Sequence, residues 1–200
     1  MVFSFLKKYQ IIAKDLTPSQ AKSIGKYRHC FFPVPEIDIG EALTAFDPFP
    51  LELKQVYEEI GFGFFHRRKG DINCLLDPLS LKGANLQLGY FKNDDYINQA
   101  LEFCKVENRL LFFKTQSNQY FSIDRTEKQG ENSIYYKGRQ VKESLYDFLD
   151  SCANNEGYLQ YTIKDVDRQM EKEKEKAEKE KMKNQKPVRY LGGHILVDTD

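Results

Sequence analysis

Residues 50–76 read PLELKQVYEEIGFGFFHRRKGDINCLL, and the apolar period changes partway along. Leu53, Val56, Tyr57 and Ile60 recur at i, i+3, i+4 and i+7, the spacing of a helix with one buried face. Gly61 follows where such a helix stops, because glycine accepts the left-handed backbone of a helix terminus. Phe62-Gly63-Phe64-Phe65 then reads as an apolar strand, His66 to Asp71 as a polar hairpin turn, and Ile72-Asn73-Cys74-Leu75-Leu76 as the returning strand, closed by Asp77-Pro78. With a period of two, Phe62 and Phe64 share one sheet face, and Gly63, Phe65 and Arg67 the other. One face is core and the other is available to a partner; the alternation does not say which.

Working outward, Tyr96, Ile97, Ala100, Leu101 and Cys104 predict a helix between Asp94 and Cys104. Arg109 to Lys114 and Gln119 to Asp124 are strand-like around a polar turn at Gln116-Ser117-Asn118, and Ser133 to Tyr136 adds a third strand. Short polar turns between consecutive strands favour an antiparallel meander. Val141, Leu145, Phe148 and Leu149 mark a helix to Ala153, ended by Gly157. Upstream, Val2, Phe5, Leu6, Tyr9 and Ile12 lie at helical spacing, and Thr17-Pro18-Ser19-Gln20 starts a second helix reaching Tyr27. Pro33, Pro35, Pro48 and Pro50 favour an extended, irregular connection rather than a helix after it. From Val166 to Lys183 Glu and Lys alternate almost without interruption, and pairs such as Lys174–Glu178 and Glu175–Lys179 each support a helix by about 0.2–0.5 kcal/mol. The apolar positions there are too sparse for a coiled-coil seam, so the helix reads as a solvated, semi-rigid rod, with an arm that contacts a partner as the alternative. Pro187 stops it, and Tyr190 to Val197 is a final strand candidate. The expected class is α+β: a mainly antiparallel sheet flanked by helices, with a charged C-terminal helical extension. Its parts are a helical and irregular segment (1–49) packed on the domain, the α+β domain itself (50–161), and the Glu/Lys-rich helix with its tail (162–200).

Composition narrows the function classes. Lys+Arg and Asp+Glu are 30 each and balance closely in every region, so no segment is the basic field that a nucleic-acid surface needs. No apolar run approaches the ~18 residues of a membrane-spanning helix. The N-terminal apolar group precedes Lys7-Lys8, the reverse of a secretory signal, and Cys30, Cys74, Cys104 and Cys152 are isolated, with no CxxC pair. Buried free thiols in a reducing cytoplasm are expected. His29, His66 and His194 are scattered, outside any HExxH or CxxC context, so no metal site is expected. His29 adjoins Cys30, but adjacent side chains point apart, and Phe31-Phe32 marks this cysteine as core. Gly61-Phe62-Gly63 runs helix, loop, strand, the reverse of a dinucleotide fingerprint, and no GKS or GKT follows. Glu58-Glu59 and Asp94-Asp95 come without a pocket motif. The run His66-Arg67-Arg68-Lys69 is the best anion-contact candidate, although charge at a hairpin tip also discourages edge pairing. Neither a cofactor nor catalysis is expected; the reading is a cytoplasmic binding protein.

The ordered set of segments from Pro50 to Ala153 resembles the SUKH superfamily. It carries the proline-started helix running into Gly61-Phe62-Gly63-Phe64-Phe65, then Ile72-Asn73-Cys74-Leu75-Leu76-Asp77-Pro78-Leu79-Ser80, then Leu111-Phe112-Phe113, Tyr120-Phe121-Ser122-Ile123-Asp124, Ile134-Tyr135-Tyr136 and Ser144-Leu145-Tyr146-Asp147-Phe148-Leu149. The resemblance covers about half of the chain and leaves out residues 1–49 and the tail. It implies a compact α+β domain and binding rather than catalysis. Many bacterial members are immunity proteins of polymorphic toxin systems, so the implied partner is a toxin domain, a nuclease among the choices, held by occlusion. Tyr57, Phe62, Phe65, Arg67 and Asn73 are then the candidate partner-binding residues. A non-catalytic scaffold or regulatory adaptor of the same fold is the alternative, and the oligomeric state stays open.

Overall fold

The computed structural model describes residues 2–11, 29–66, 72–105, 108–126, 132–184, 190–191 and 194–195. In chain order a single helical turn α1 (Ser4–Lys7) precedes strand β1 (His29–Phe32) and helices α2 (Glu36–Ala45) and α3 (Leu51–Glu59). Strands β2 (Phe62–His66) and β3 (Ile72–Leu75), helices α4 (Pro78–Leu86) and α5 (Asp95–Lys105), and strands β4 (Arg109–Lys114) and β5 (Tyr120–Asp124) follow. The chain continues with β6 (Ile134–Tyr136), β7 (Arg139–Lys142), α6 (Leu145–Asn154), α7 (Tyr158–Asn184), β8 (Tyr190–Leu191) and β9 (His194–Ile195). Two compact units result, Met1–Thr162 and Ile163–Asp200.

Among the described residues of the first unit, β1 to β7 form a seven-stranded sheet in sequence order, each neighbour antiparallel. The fold is α+β, and the meander follows from the short turns between apolar runs. The proline-flanked segment expected to be extended and irregular supplies strand β1, whose Phe31 pairs with Gly63 and Phe32 with Phe62, and, against that expectation, helix α2 directly after Pro35. Its prolines, Pro33 and Pro35, fall just beyond the strand, where no ladder hydrogen bond is lost. The free side of β1 is covered by the N-terminal segment, since the Ile11 N–H donates to the Phe31 carbonyl (2.7 Å) and the Phe31 N–H to that of Tyr9 (3.1 Å). The first helix is one turn, shorter than the spacing from Val2 to Ile12 suggests. It is held by the Glu59 carboxylate, which accepts from the Val2 and Phe3 N–H groups at 3.0 Å each. The helix expected from Thr17 lies outside the described residues.

The inner sheet face is a row of aromatic rings. Phe31 stacks edge-on against Phe65 (5.2 Å between centroids), Phe65 lies 5.8 Å from Phe113, Phe113 6.1 Å from Phe121, and Phe121 5.2 Å from Tyr136. Each such pair contributes about 0.5–1.5 kcal/mol beyond the area it buries. Helix α6 covers the row through Phe148, which touches Phe112, Phe113 and Phe121. Both Phe112 and Phe113 reach it because the β4–β5 register shifts between Leu111 and Phe113. Helix α3 buries Leu53, Val56 and Tyr57 as its spacing requires, and Gly61 follows at φ 104°.

Polar side chains fasten the helices to this core. The buried Glu52 carboxylate accepts from the Leu145 N–H at the start of α6 (2.6 Å), while Asn132 accepts from the Glu52 N–H and donates to the carbonyls of Asp124 and Thr126. Helix α4 was unexpected: Asp77 caps it by accepting from the Ser80 N–H (2.9 Å), with Pro78 in the first turn. Asn85 of α4 takes the place of a neighbouring strand, donating to the Leu111 carbonyl and accepting from its N–H at 2.8 Å each.

In the second unit, residues 171–183 of α7 are all exposed. Its Glu175 and Lys179 lie 4.0 Å apart in an i,i+4 pair. Tyr190 and Leu191 pair with Ile195 and His194 in a small hairpin, rather than forming one long strand. No helix among the described residues is long and apolar enough to cross a membrane.

Candidate partner-binding face

The alternation along β2 separates a buried side of the strand from a half-buried one. Gly63 and Phe65 are buried, whereas Phe62 and Phe64 are half-buried. Phe62 and Phe64 gather around Phe32, with centroids 5.7 and 6.4 Å apart, and form an aromatic group on the outer face. Register carries that face onward through Cys74, Lys114 and Tyr120, which oppose one another across β3, β4 and β5. The Lys114 ammonium lies 5.6 Å from the centre of the Tyr120 ring.

Farther along, α5 packs on β4 and β5. Between them is a cleft of about 190 Å3 lined by Tyr96, Gln99, Ala100 and Phe103 of α5, the turn residues Ser117, Asn118 and Gln119, and Leu111, Tyr120, Ser122, Tyr136 and Lys137. Tyr96, Ala100 and Phe103 stand at i, i+4 and i+7, one stripe of the helix. Exposed apolar side chains run from the end of α4 (Leu86) through the connection (Leu88 and Tyr90, the latter 84% exposed) to the start of α5, where Tyr96 is 55% exposed. Contiguous apolar exposure of this kind marks an interaction surface.

All four thiols are raised above their ordinary range, burial being the largest cause in each. Burial, with Asp77 adding to it and Lys114 opposing, pushes the Cys74 thiol up to about 12. Burial raises Cys104 to about 11 despite a hydrogen bond from Ser122 and the charge of Arg109. Cys30 also rises to about 11 by burial, and Cys152 lies well above the ordinary range for the same cause. Thiols held this high stay protonated at neutral pH, and the thiolate is the reactive form. Burial, then Asp94, raises the Tyr120 phenol, whose buried hydroxyl has no hydrogen-bond partner among the described residues. Arg109 is committed to structure: it donates to Asp124 (3.0 Å) and lies 3.3 Å over the Tyr135 ring. Among the described residues no group of three or more His, Cys, Asp and Glu is placed to hold a metal ion.

Of the five residues singled out from sequence, the four described ones do not meet on one surface. Phe62 lies on the outer face with Phe32 and Phe64. Tyr57 and Phe65 are each 2% exposed; the Tyr57 hydroxyl donates to the Leu76 carbonyl (2.7 Å), and Phe65 sits in the inner aromatic row. Asn73 pairs with Phe65 and is buried on the same inner side. Arg67, with the rest of the basic run to Lys69, lies outside the described residues. Tyr96 and Ala100 enter the sequence pattern only as part of the helix, because α5 carries two overlapping stripes: Ile97, Leu101 and Cys104 are buried, while Tyr96, Ala100 and Phe103 border the cleft.

No protein-family model matches the chain, and no solved structure does. The chain is 30% identical over 129 residues to Immunity protein YxxD of Bacillus subtilis (strain 168), an alignment covering 64% of this chain and 86% of that protein. An aligned stretch of that length takes in most of the relative, and the chain therefore belongs to the family of Immunity protein YxxD.

Proposed function

We propose that this protein is an immunity protein that neutralises a cognate toxin by binding and covering it, without catalysis. The observation that carries this reading is the likeness to an immunity protein over most of that relative's length. The SUKH assignment and a nuclease as the toxin belong to the same reading and rest on the ordered motifs between Pro50 and Ala153, while the cytoplasmic site of action rests on the isolated cysteines and the N-terminal order of apolar and charged residues. Supporting it chemically, the cysteines are held protonated, while aromatic side chains gather on the outer sheet face. Interfaces draw most of their energy from a few buried aromatic anchors surrounded by near-neutral contacts. Phe62 and its neighbours Phe32 and Phe64 are proposed as one anchor group, with Tyr90 and Tyr96 extending the contact.

The test is growth. Cells expressing the toxin encoded beside this gene stop dividing, and co-expression of this chain restores colony formation. The doubly changed chain Phe62→Ser, Phe64→Ser, checked for folding by circular dichroism, loses that protection. Protection that persists undiminished in the folded double variant moves the contact to another face, and absence of protection by the unaltered chain against every neighbouring effector discards the immunity reading.

A further inference from the structure

We propose that Lys114 sets the partner specificity of the outer sheet face, and that the toxin meets it with one carboxylate from an aspartate or glutamate side chain; this rests on the immunity reading above. Phe64, Cys74, Lys114 and Tyr120 oppose one another across β2, β3, β4 and β5, and Lys114 is the one charged member of the row. Phe64, Cys74 and Lys114 are each half-buried, and Tyr120 is buried. A half-buried lysine lays its stem on apolar neighbours and keeps its ammonium in water. Within the chain that ammonium has no acid: among the described residues Lys114 makes neither an ion pair nor a hydrogen bond. The Tyr120 ring centre lies 5.6 Å away, close to the ~6 Å reach of a cation–π contact, and a ring accepts none of the three N–H donors. The carboxylates at the margins of the row are committed elsewhere. Asp77 caps α4 by accepting from the Ser80 N–H, and Asp94 accepts from the N–H groups of Tyr96 and Ile97 at the start of α5.

Covering the face changes the position of this lysine. A partner seated on Phe62, Phe64 and Cys74 strips water from the ammonium, and a desolvated charge without a counter-charge is strongly unfavourable. A hydroxyl or a backbone carbonyl satisfies one donor and leaves the charge. A carboxylate satisfies the donors and cancels it. The neighbouring Cys74 thiol, held protonated, supplies no negative charge of its own. Nor does the row suit a nucleic acid, because one cation among uncharged neighbours does not neutralise a run of phosphates.

The test pairs the full-length chain with the toxin encoded beside its gene and reads dissociation constants by titration calorimetry, each variant being checked for folding by circular dichroism. Lys114→Met keeps the unbranched stem, leaves the toxin's carboxylate unpaired, and is expected to weaken binding at least about 30-fold. Lys114→Arg keeps the charge and is expected to lose less than about 10-fold, the worth of one ordinary hydrogen bond. Lys114→Glu loses more than either, and exchanging a single acid of the toxin for lysine restores it. Full affinity in Lys114→Met, equal losses in the Met and Arg variants, or a Lys114→Glu chain that no single exchange in the toxin restores would overturn the proposal. A readout on the free chain is independent of the toxin. Because no ion pair is lost, the thermal midpoint of Lys114→Met is expected to stay level or rise, and a drop of several degrees would overturn the proposal by placing the partner of the ammonium inside the chain. Binding and protection that persist in Lys114→Met remove the role of the lysine and leave immunity in place. Failure of the unaltered chain to bind any neighbouring effector would instead remove immunity, and the source of the carboxylate with it.

Discussion

Gly63 is fixed by its neighbours rather than by its backbone angles. A Cβ there would lie 2.3 Å from the Cys30 carbonyl oxygen and 2.6 Å from Phe31 Cδ1, so the ring of Phe31 occupies the space over the glycine. Gly63→Ala must push β1 away from β2, and is expected to lower stability by about 3 kcal/mol or more, read from chemical denaturation. A loss below about 1 kcal/mol would mean that β1 moves freely. The thiols give a pH dependence with a definite sign. Cys104 is raised from an ordinary 9.0 to about 11 and Cys74 to about 12, mainly by burial. Below the ordinary value both folded and unfolded chains keep these protons, and their contribution to stability is complete. As pH climbs above it the unfolded chain releases protons first, and stability falls until the folded thiols titrate in turn. The denaturation midpoint should therefore be level from about pH 7 to 8.5 and decline from about pH 9 to 12. A midpoint unchanged to about pH 11 would contradict the burial of these groups. Gly61 and the apolar spacing before it were legible because each follows from local geometry. The burial of Glu52 was not, because its partners, Leu145 and Asn132, are 93 and 80 residues away in sequence.

At the scale of elements, α6 on the bulged β4 is the contact that closes the core. Phe148 meets three phenylalanines, all within 5.6 Å between centroids. Phe148→Ala leaves a void facing them and is expected to destabilise by about 3–5 kcal/mol. Near-neutral stability in that variant would show that α6 is not part of the core. The cap of the same helix is a smaller matter: Ser144 accepts from the Asp147 N–H (3.1 Å), and its loss costs about 1 kcal/mol. The elements read correctly from sequence, α3, β2 to β6, α5 and α6, are those whose apolar period or polar turns sit in one short window. Those missed have different causes. For α4 the signal was present in Asp77-Pro78-Leu79-Ser80, a cap with proline in the first turn, but it reads equally as the end of a strand. Helix α2 follows Pro35, and proline density concealed a start position that tolerates proline. Strand β7, Arg139–Lys142, is basic and exposed in its first half, its Val141 reads by spacing as part of the helix that begins only at Leu145, and only its pairing with β6 makes it a strand.

At the scale of the molecule, the sheet separates two kinds of aromatic residue that look alike in sequence. Phe65, Phe113 and Phe121 build the core, whereas Phe32, Phe62 and Phe64 remain half-buried on the other side. Periodicity told the two sets apart but not which was inward, because that depends on α6 crossing one face only. Thus the α+β class was legible, while the candidate site was legible only in Phe62. The charged stretch of α7 is exposed from residue 171 to 183, and charged exposed pairs of this kind contribute little. A chain lacking residues 173–200 is therefore expected to protect against the toxin as well as the full chain. Lost protection with unchanged thermal stability would favour the adaptor reading, in which the arm engages a partner. The most direct measurement is hydrogen–deuterium exchange on the purified complex with the toxin. The account predicts a saturable complex in which exchange slows at residues 62–64 and 96–122; a complex that leaves those segments unprotected and slows exchange elsewhere would contradict it.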